Sequence, residues 1–355
     1  LPEQPLVPLI DLSRRMIAHQ SELQAAVARV SASGSVLLGP ETTAFESEFA
    51  RFAGASHGVA VSSGASALQL SLAALGVGAG DEVIVPAMTA VPTASSVIAV
   101  GATPVFVDVQ QHTAAIDVDA VREALSERTR AIIAVHLYGR PVEAIAELAS
   151  FGVPLIEDCA QSHGATKGVT GAMACYSFYP TKNLGGIGDG GMVVTDDADL
   201  AERIARLRIH GQVEQYVHDE VSQNHRMSEI ECAWLRIMLP ELAAGNRRRR
   251  EIVERYRLHA PWLSWQSDHP DHVFHLAVGR IHNREQFRGR MASSGVATGV
   301  HYPLALTQQP SLKAMTTFAC PNAEAWAAEC VTLPCFPEMT DAEVDAVCDA
   351  LVEID

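Results

Sequence analysis

Lys182 has surroundings that few lysines share. It follows Tyr176-Ser177-Phe178-Tyr179-Pro180-Thr181 and precedes Asn183-Leu184, with a glycine-rich stretch from Gly185 to Gly191 behind it. Upstream lies an acidic element, Ile156-Glu157-Asp158-Cys159-Ala160-Gln161-Ser162-His163-Gly164. An amine in an apolar setting loses solvation, which favours its neutral, nucleophilic form. A cofactor held as an imine needs such an amine, and an electron sink also needs an anion at its ring nitrogen. Lys182 and Asp158 supply both, which points to pyridoxal phosphate chemistry.

Each segment also has a plainer reading. Asp158, at the predicted end of a strand, would by itself cap the following turn. Beside a pyridine nitrogen it keeps that nitrogen protonated by charge pairing. Ala160 projects the same way on an extended chain and would cover one ring face, and Gln161 would donate to the ring phenolate. Ser62-Ser63-Gly64-Ala65-Ser66 would be an ordinary helix cap in isolation. The N–H groups at such a helix start also suit a phosphate, and glycine permits close approach. The glycines after Lys182 lack the Gly-x-Gly-x-x-Gly spacing before a helix, so a dinucleotide loop is discounted. Fourteen histidines occur without His-x-x-x-His or His-x-x-Glu-His, and no metal is expected.

Alternating elements must position these residues. A helix carries Phe45, Phe49 and Phe52 on one face and can end at Gly54; a second runs from Gly64 to Leu75. Strands are expected at Glu82–Val85, Pro104–Asp108, Ala131–Val135, Pro154–Asp158, Ala174–Phe178 and Met192–Thr195. Helices are expected from Pro92, over 119–127, over 142–149 and over 200–209. Apolar strands separated by helices describe an α/β fold whose mostly parallel sheet has helices on both faces. Ser228-Glu229-Ile230-Glu231 fits a capping box, opening a helix that Pro240 should break. A charged helix over 246–258, a strand over His272–Val278 and helices over 284–293 and 341–354 follow. The expected division is a large domain over 1–242 and a smaller α+β domain over 243–355.

A net charge of −16 argues against nucleic acid or an anionic membrane as partner. Arg247–Arg250 is followed by Glu251 and Glu254, which reads as a salt-laced helix face. Seven cysteines without a Cys-x-x-Cys pair read as free thiols in a reducing compartment. No apolar run approaches the ~20 residues of a spanning helix. A cytoplasmic protein is expected.

Taken in order, these segments resemble the sugar aminotransferase family typified by the DegT, DnrJ, EryC1 and StrS proteins. The likeness runs from about Val36 to the C-terminus. It rests on Ser62–Leu68, Gly80–Pro86, Glu157–Gly164, Ser177–Gly185, Asn224-His225-Arg226 with Ser228–Glu231, and His301-Tyr302-Pro303. The resemblance implies a fold type I, pyridoxal phosphate-dependent homodimer with a seven-stranded type of sheet. Lys182 would be the Schiff-base lysine and proton shuttle. Asp158 would pair with the ring nitrogen and Gln161 with the phenolate, while Gly64, Ala65 and Ser177 hold the phosphate. Asn224 would complete the other subunit's site, and His301 and Tyr302 would face substrate.

The implied reaction moves an amino group from L-glutamate to a keto group of a nucleotide-linked sugar, foremost a dTDP-linked 3-keto-6-deoxyhexose. C-4 amination and amination of a cyclitol such as scyllo-inosose are alternatives. A sugar dehydratase of the same family would carry histidine at Lys182, and a non-catalytic regulator would not need Lys182, Asp158 and Gln161 intact. Three departures stand out, one being a connection from Gly164 to Ala174 that is short for the family. Ala65 replaces the family's usual threonine, and Ala90 stands where an aromatic often stacks on the ring.

Overall fold

The computed structural model describes residues 6–354 apart from Thr166. Helix α1 (Leu12–Ala18) starts where the Asp11 carboxylate accepts the Ser13 N–H at 3.0 Å, and α2 (Gln20–Ser33) ends at Gly34. Helix α3 (Pro40–Ala53) has proline in its first turn and stops at Gly54, whose φ of 77° suits a residue without Cβ. It buries Phe45 and Phe49 fully and Phe52 in part, the face its spacing predicts.

Strands and helices then alternate: β1 (His57–Val61), α4 (Gly64–Ala74), β2 (Glu82–Pro86), α5 (Val91–Ala99) and β3 (Thr103–Val107). The run continues through α6 (Val118–Ala124), β4 (Thr129–Val135), α7 (Ile145–Ala149), β5 (Leu155–Asp158), β6 (Met173–Ser177) and β7 (Gly191–Thr195). The seven strands form one sheet in the order β1-β7-β6-β5-β4-β2-β3. Strands β2 to β6 pair in parallel, and only β7 runs against its neighbours. Val83, Ile84, Val85, Ile132, Ile133 and Ile156 are buried on alternate faces, so apolar layers cover both sides of the sheet. The α/β class is as the pattern predicts. Strand β1, short and interrupted by Gly58, was not anticipated.

Helix α8 (Ala198–Leu207) leads to a small hairpin, β8 (Gln212–Glu214) and β9 (Val217–His218). Helix α9 (Glu229–Met238) begins at Ser228, whose hydroxyl accepts the Glu231 N–H at 3.2 Å. A 3-10 turn containing Pro240 separates it from α10 (Leu242–His259), the expected break. A second, antiparallel sheet joins β10 (Ser264–Trp265), β11 (Ala277–Arg280) and β12 (Cys330–Leu333). Helices α11 (Arg284–Ser293), α12 (Pro321–Glu329) and α13 (Asp341–Ile354) complete the chain. One apolar cluster joins Ile252, Val253 and Tyr256 of α10 to Phe336, Val344 and Leu351.

Three expectations are corrected. The strand expected from His272 begins pairing only at Ala277, because Phe274 takes φ 44° and stacks on the His272 ring at 3.8 Å. The helix expected over 142–149 shrinks to Ile145–Ala149, since the Val142 N–H is spent on His136 Nδ1. Arg249 is not on a salt-laced face. It is buried, with Nη1 donating to the carbonyls of Phe274, His275 and Cys335 and no carboxylate partner among the described residues. Arg248 does pair, with Asp341 at 2.6 Å and Glu251 at 3.6 Å. All seven cysteines are free and buried, and no described helix is long and apolar enough to cross a membrane.

Candidate active site

Ligands of open parallel sheets collect beyond the carboxyl ends of the strands. Asp158 ends β5, Ser177 ends β6, and Gly64 and Ala65 open α4 directly after β1. A cavity of about 280 Å³ at this edge is lined by Gly64, Ala65, Ala90, Asp158, Gln161, Ser177 and Lys182. Residues scattered over more than a hundred positions of sequence thus share one wall. Ala160 lines it too.

The start of α4 is built for close approach. Ser63 is its N-cap, with its hydroxyl accepting the Ser66 N–H at 3.0 Å, while its carbonyl accepts the Ala67 N–H. The N–H groups of Gly64 and Ala65 precede these and have no helical carbonyl to bond, as at any helix start. A Cβ on Gly64 would lie 2.6 Å from Ser177 Cβ. Gly64→Ala should therefore push α4 away from β6 and cost about 1–3 kcal/mol through overpacking. Chemical denaturation of the variant would measure this; an unchanged midpoint would contradict the packing.

Asp158 is buried, yet well supplied with donors. Thr93 Oγ1 donates to Oδ2 at 3.0 Å, and the Ala160 N–H donates to Oδ1 at 3.1 Å. Burial raises its pKa above the usual carboxylate range, opposed by these two hydrogen bonds and by the charge of Lys182. Behind it, His136, Glu157 and Cys159 lie within metal-ligand distance of one another. The polar atoms of His136 and Glu157 are otherwise engaged. His136 Nδ1 accepts the Val142 N–H at 3.0 Å, so Nε2 carries the proton and donates to Glu157 at 3.2 Å. The other Glu157 oxygen accepts N–H bonds from Thr170 at 2.7 Å and Gly171 at 3.0 Å. The cluster braces the strand end that presents Asp158.

Lys182 is half-buried and lines two cavities, the one above and a neighbour of about 300 Å³. Burial lowers its pKa to about 8, against an opposing pull from Asp158. The loop behind it is packed tightly against its glycines. A Cβ would meet Pro180 O at 2.1 Å from Gly185, Glu231 Oε1 at 1.6 Å from Gly186, and Ser63 O at 2.3 Å from Gly191. None of these glycines has positive φ; they are small because backbone and side chains press against them. Trp234 Nε1 donates to Gly185 O at 3.0 Å and fixes the turn from below.

Gln161 accepts the Tyr138 N–H on Oε1 at 2.7 Å and donates through Nε2 to the Tyr302 hydroxyl at 3.1 Å. One of its two amide protons is therefore committed to protein. His301 and Tyr302 line the second cavity with Lys182, and His301 Nδ1 lies 2.8 Å from Thr332 Oγ1. Asn224 lines neither cavity. It is exposed, and its oxygen accepts from the Arg226 N–H and Nε. Its neighbour His225 ties this segment to α4 through Nδ1 and Ser66 Oγ, 3.1 Å apart. Thr93, Tyr138 and His275 were not singled out from the sequence. No motif marked them, because each meets the site only through tertiary packing.

A mostly parallel seven-stranded sheet with a lysine and an aspartate meeting at its carboxyl edge defines a class, and sequence comparison assigns it. The profile of the DegT/DnrJ/EryC1/StrS aminotransferase family matches residues 18–352, and the chain belongs to that family. It is 40% identical over 366 residues to dTDP-3-amino-3,4,6-trideoxy-alpha-D-glucose transaminase of Streptomyces venezuelae, covering 99% of this chain and 97% of that protein. It is 39% identical over 350 residues to UDP-N-acetyl-3-dehydro-alpha-D-glucosamine 3-aminotransferase of Acidithiobacillus ferrooxidans, with 95% of each covered. The crystal structure of S. venezuelae DesV in complex with a ketimine intermediate superposes with a TM-score of 0.95 at 39% identity, covering 99% of both chains. The fold is that of fold type I aminotransferases.

Proposed function

We propose that this protein is a pyridoxal phosphate-dependent aminotransferase that moves an amino group from L-glutamate to a nucleotide-linked keto sugar. The favoured acceptor is a dTDP-linked 3-keto-6-deoxyhexose, in keeping with the S. venezuelae relative. The observation that carries the reading is the convergence of Lys182, Asp158 and the start of α4 on one cavity. A cradle that a Cβ at Gly64 would fill, beside unpaired helix-start amides, suits a phosphate. A buried carboxylate suits a cationic ring nitrogen, so the residues fit the cofactor.

Pyridoxal phosphate, when bound, supplies an electrophilic carbon for nitrogen and a cationic ring that withdraws electrons from the substrate Cα. Gly64 and Ala65 would hold the phosphate through their N–H groups, and Ser177 through its hydroxyl. Asp158 would keep the ring nitrogen protonated, with Thr93 and Ala160 fixing its carboxylate. Ala160 would cover one face of the ring, and Ala90 would leave the other less covered than an aromatic does. Gln161 offers its remaining amide proton to the phenolate. Lys182 Nζ would hold the cofactor and would carry the proton removed from the donor's Cα. His301 and Tyr302 face the substrate from the second cavity.

Lysine at 182 favours transamination over dehydration. We place these parts in a large domain, 1–242, and a small one, 243–355, of a cytoplasmic homodimer in which Asn224 reaches the other subunit's phosphate. Mixing Lys182→Ala with Asn224→Ala protein should then restore up to about a quarter of wild-type activity, since a heterodimer keeps one intact site. No recovery after subunit exchange would remove Asn224 from the shared site. The reaction itself is tested by supplying L-glutamate with dTDP-, UDP-, GDP- and CDP-linked keto sugars and scyllo-inosose, and reading product mass. Amination of the dTDP sugar in preference to the others is expected. Preference for a UDP sugar would favour the chemistry of the A. ferrooxidans relative, and no amino product from any acceptor would overturn the reading.

A further inference from the structure

A chain of side-chain amides runs behind Lys182, and its direction is fixed at both ends. The carbonyl of His163 can only accept, so the Asn246 atom 2.8 Å from it is Nδ2. Asn246 Oδ1 then accepts from Asn183 Nδ2 at 2.8 Å, and the same Nδ2 donates to the Val273 carbonyl at 3.0 Å. Asn183 Oδ1 is left facing His275 Nδ1 at 3.1 Å. An amide oxygen cannot donate, so His275 Nδ1 must carry the proton. The neutral ring therefore keeps its lone pair on Nε2. Two backbone carbonyls, through two asparagines, choose the tautomer.

His275 lines the same cavity as Lys182, and its Nε2 has no hydrogen-bond partner among the described residues. The ring is buried, and that burial, with the charge of Lys182, holds its pKa well below the ordinary histidine value. It stays neutral at physiological pH. The rest of the wall offers the cationic Lys182 and Arg249, a second imidazole in His301 whose Nδ1 is engaged by Thr332, and no carboxylate. A substrate N–H entering this cavity must find a neutral acceptor, and an imidazole nitrogen is the strongest neutral one in a side chain.

We propose that His275 Nε2 accepts a hydrogen bond from the amino group being transferred and so orients that group toward Lys182. Asn183 and Asn246 act through it as positioning residues. This rests on the aminotransferase reading and deepens it: the second cavity selects for a ligand that bears an amine.

Two measurements test it, and they fail separately. Nitrogen-15 NMR of imidazole-labelled holoenzyme, assigned by loss of the signal in His275→Gln, should show a protonated Nδ1 and a bare Nε2 between pH 6 and 8. The opposite tautomer would overturn the proposal whatever the enzyme's activity. Asn183→Leu should allow both tautomers while leaving the ring in place. In the second measurement, His275→Phe should lower kcat/KM for L-glutamate roughly tenfold to a hundredfold, the worth of one hydrogen bond to a charged partner. The inhibition constant of glutarate, which keeps both carboxylates and lacks the amine, should stay within about twofold, and His275→Gln should recover part of the loss. Equal weakening of glutamate and glutarate, or no weakening of either, would refute an amine acceptor. If wild-type protein itself does not react with L-glutamate, the donor assignment fails, and the tautomer result stands on its own.

Discussion

Lys182→Ala protein is expected to lose turnover by about 10⁴-fold or more, the upper range for removal of a positioned acid–base group. The loss should be this large because one amine is asked to do two things. In the proposed reaction it would hold the cofactor and carry the proton from the donor's Cα. A pKa near 8 makes both feasible. At pH 7 about a tenth of such an amine is neutral, compared with about one part in three thousand for an ordinary lysine. Below pH 8 the neutral fraction falls about tenfold per unit, so recovery of the visible cofactor band on adding pyridoxal phosphate to stripped protein should slow in step. Borohydride reduction followed by peptide mapping should label Lys182 in the wild type and nothing at that position in the variant. A variant turning over within tenfold of wild type would take Lys182 out of the mechanism.

Asp158→Asn should leave the cofactor bound and slow turnover by about 10²–10³-fold, the usual scale for removing one preorganised electrostatic contact. Asparagine keeps the shape, its oxygen can still accept the Ala160 N–H and its amide can donate to the Thr93 hydroxyl in place of accepting from it, so the strand end should hold its conformation. What disappears is the negative charge. Burial already pushes the Asp158 carboxyl toward its neutral form, and Thr93, Ala160 and Lys182 oppose that push. A cationic ring nitrogen would add to the opposition, so the charge is most stable when the cofactor is in place. Stopped-flow measurement of the half-reaction with glutamate, set beside cofactor content, separates the two effects. Normal rates at full occupancy would refute the electron-sink role; loss of the cofactor would make Asp158 a binding residue first.

Much of the site was legible in the sequence because its residues sit in short motifs at element ends. Asp158 closes an apolar strand, Gly64 opens an Ala/Leu helix, and Lys182 follows an aromatic strand. Local chemistry dictates such places. Arg249 shows the limit. On α10 it looks like its neighbours, and only the packing of α10 against 274–275 and 335 turns it inward. His275 fails for a related reason. The mostly apolar run over 272–278 predicts a strand, but Arg250 and Arg257 both stack on Phe274 and hold the segment out of the sheet. The tautomer of His275 depends on four segments at once, and no local reading of one segment can supply that.

The glycine loop under Lys182 has one more consequence. Between Gly185 and Gly191 this wall is mostly main chain, pressed by Glu231, Pro180 and Ser63, and carries only two side chains, Ile187 and Asp189. Helix α9, whose Glu231 presses on Gly186, is a second bank through which this floor can be reshaped, and a change there would move the amine without touching any residue that reacts.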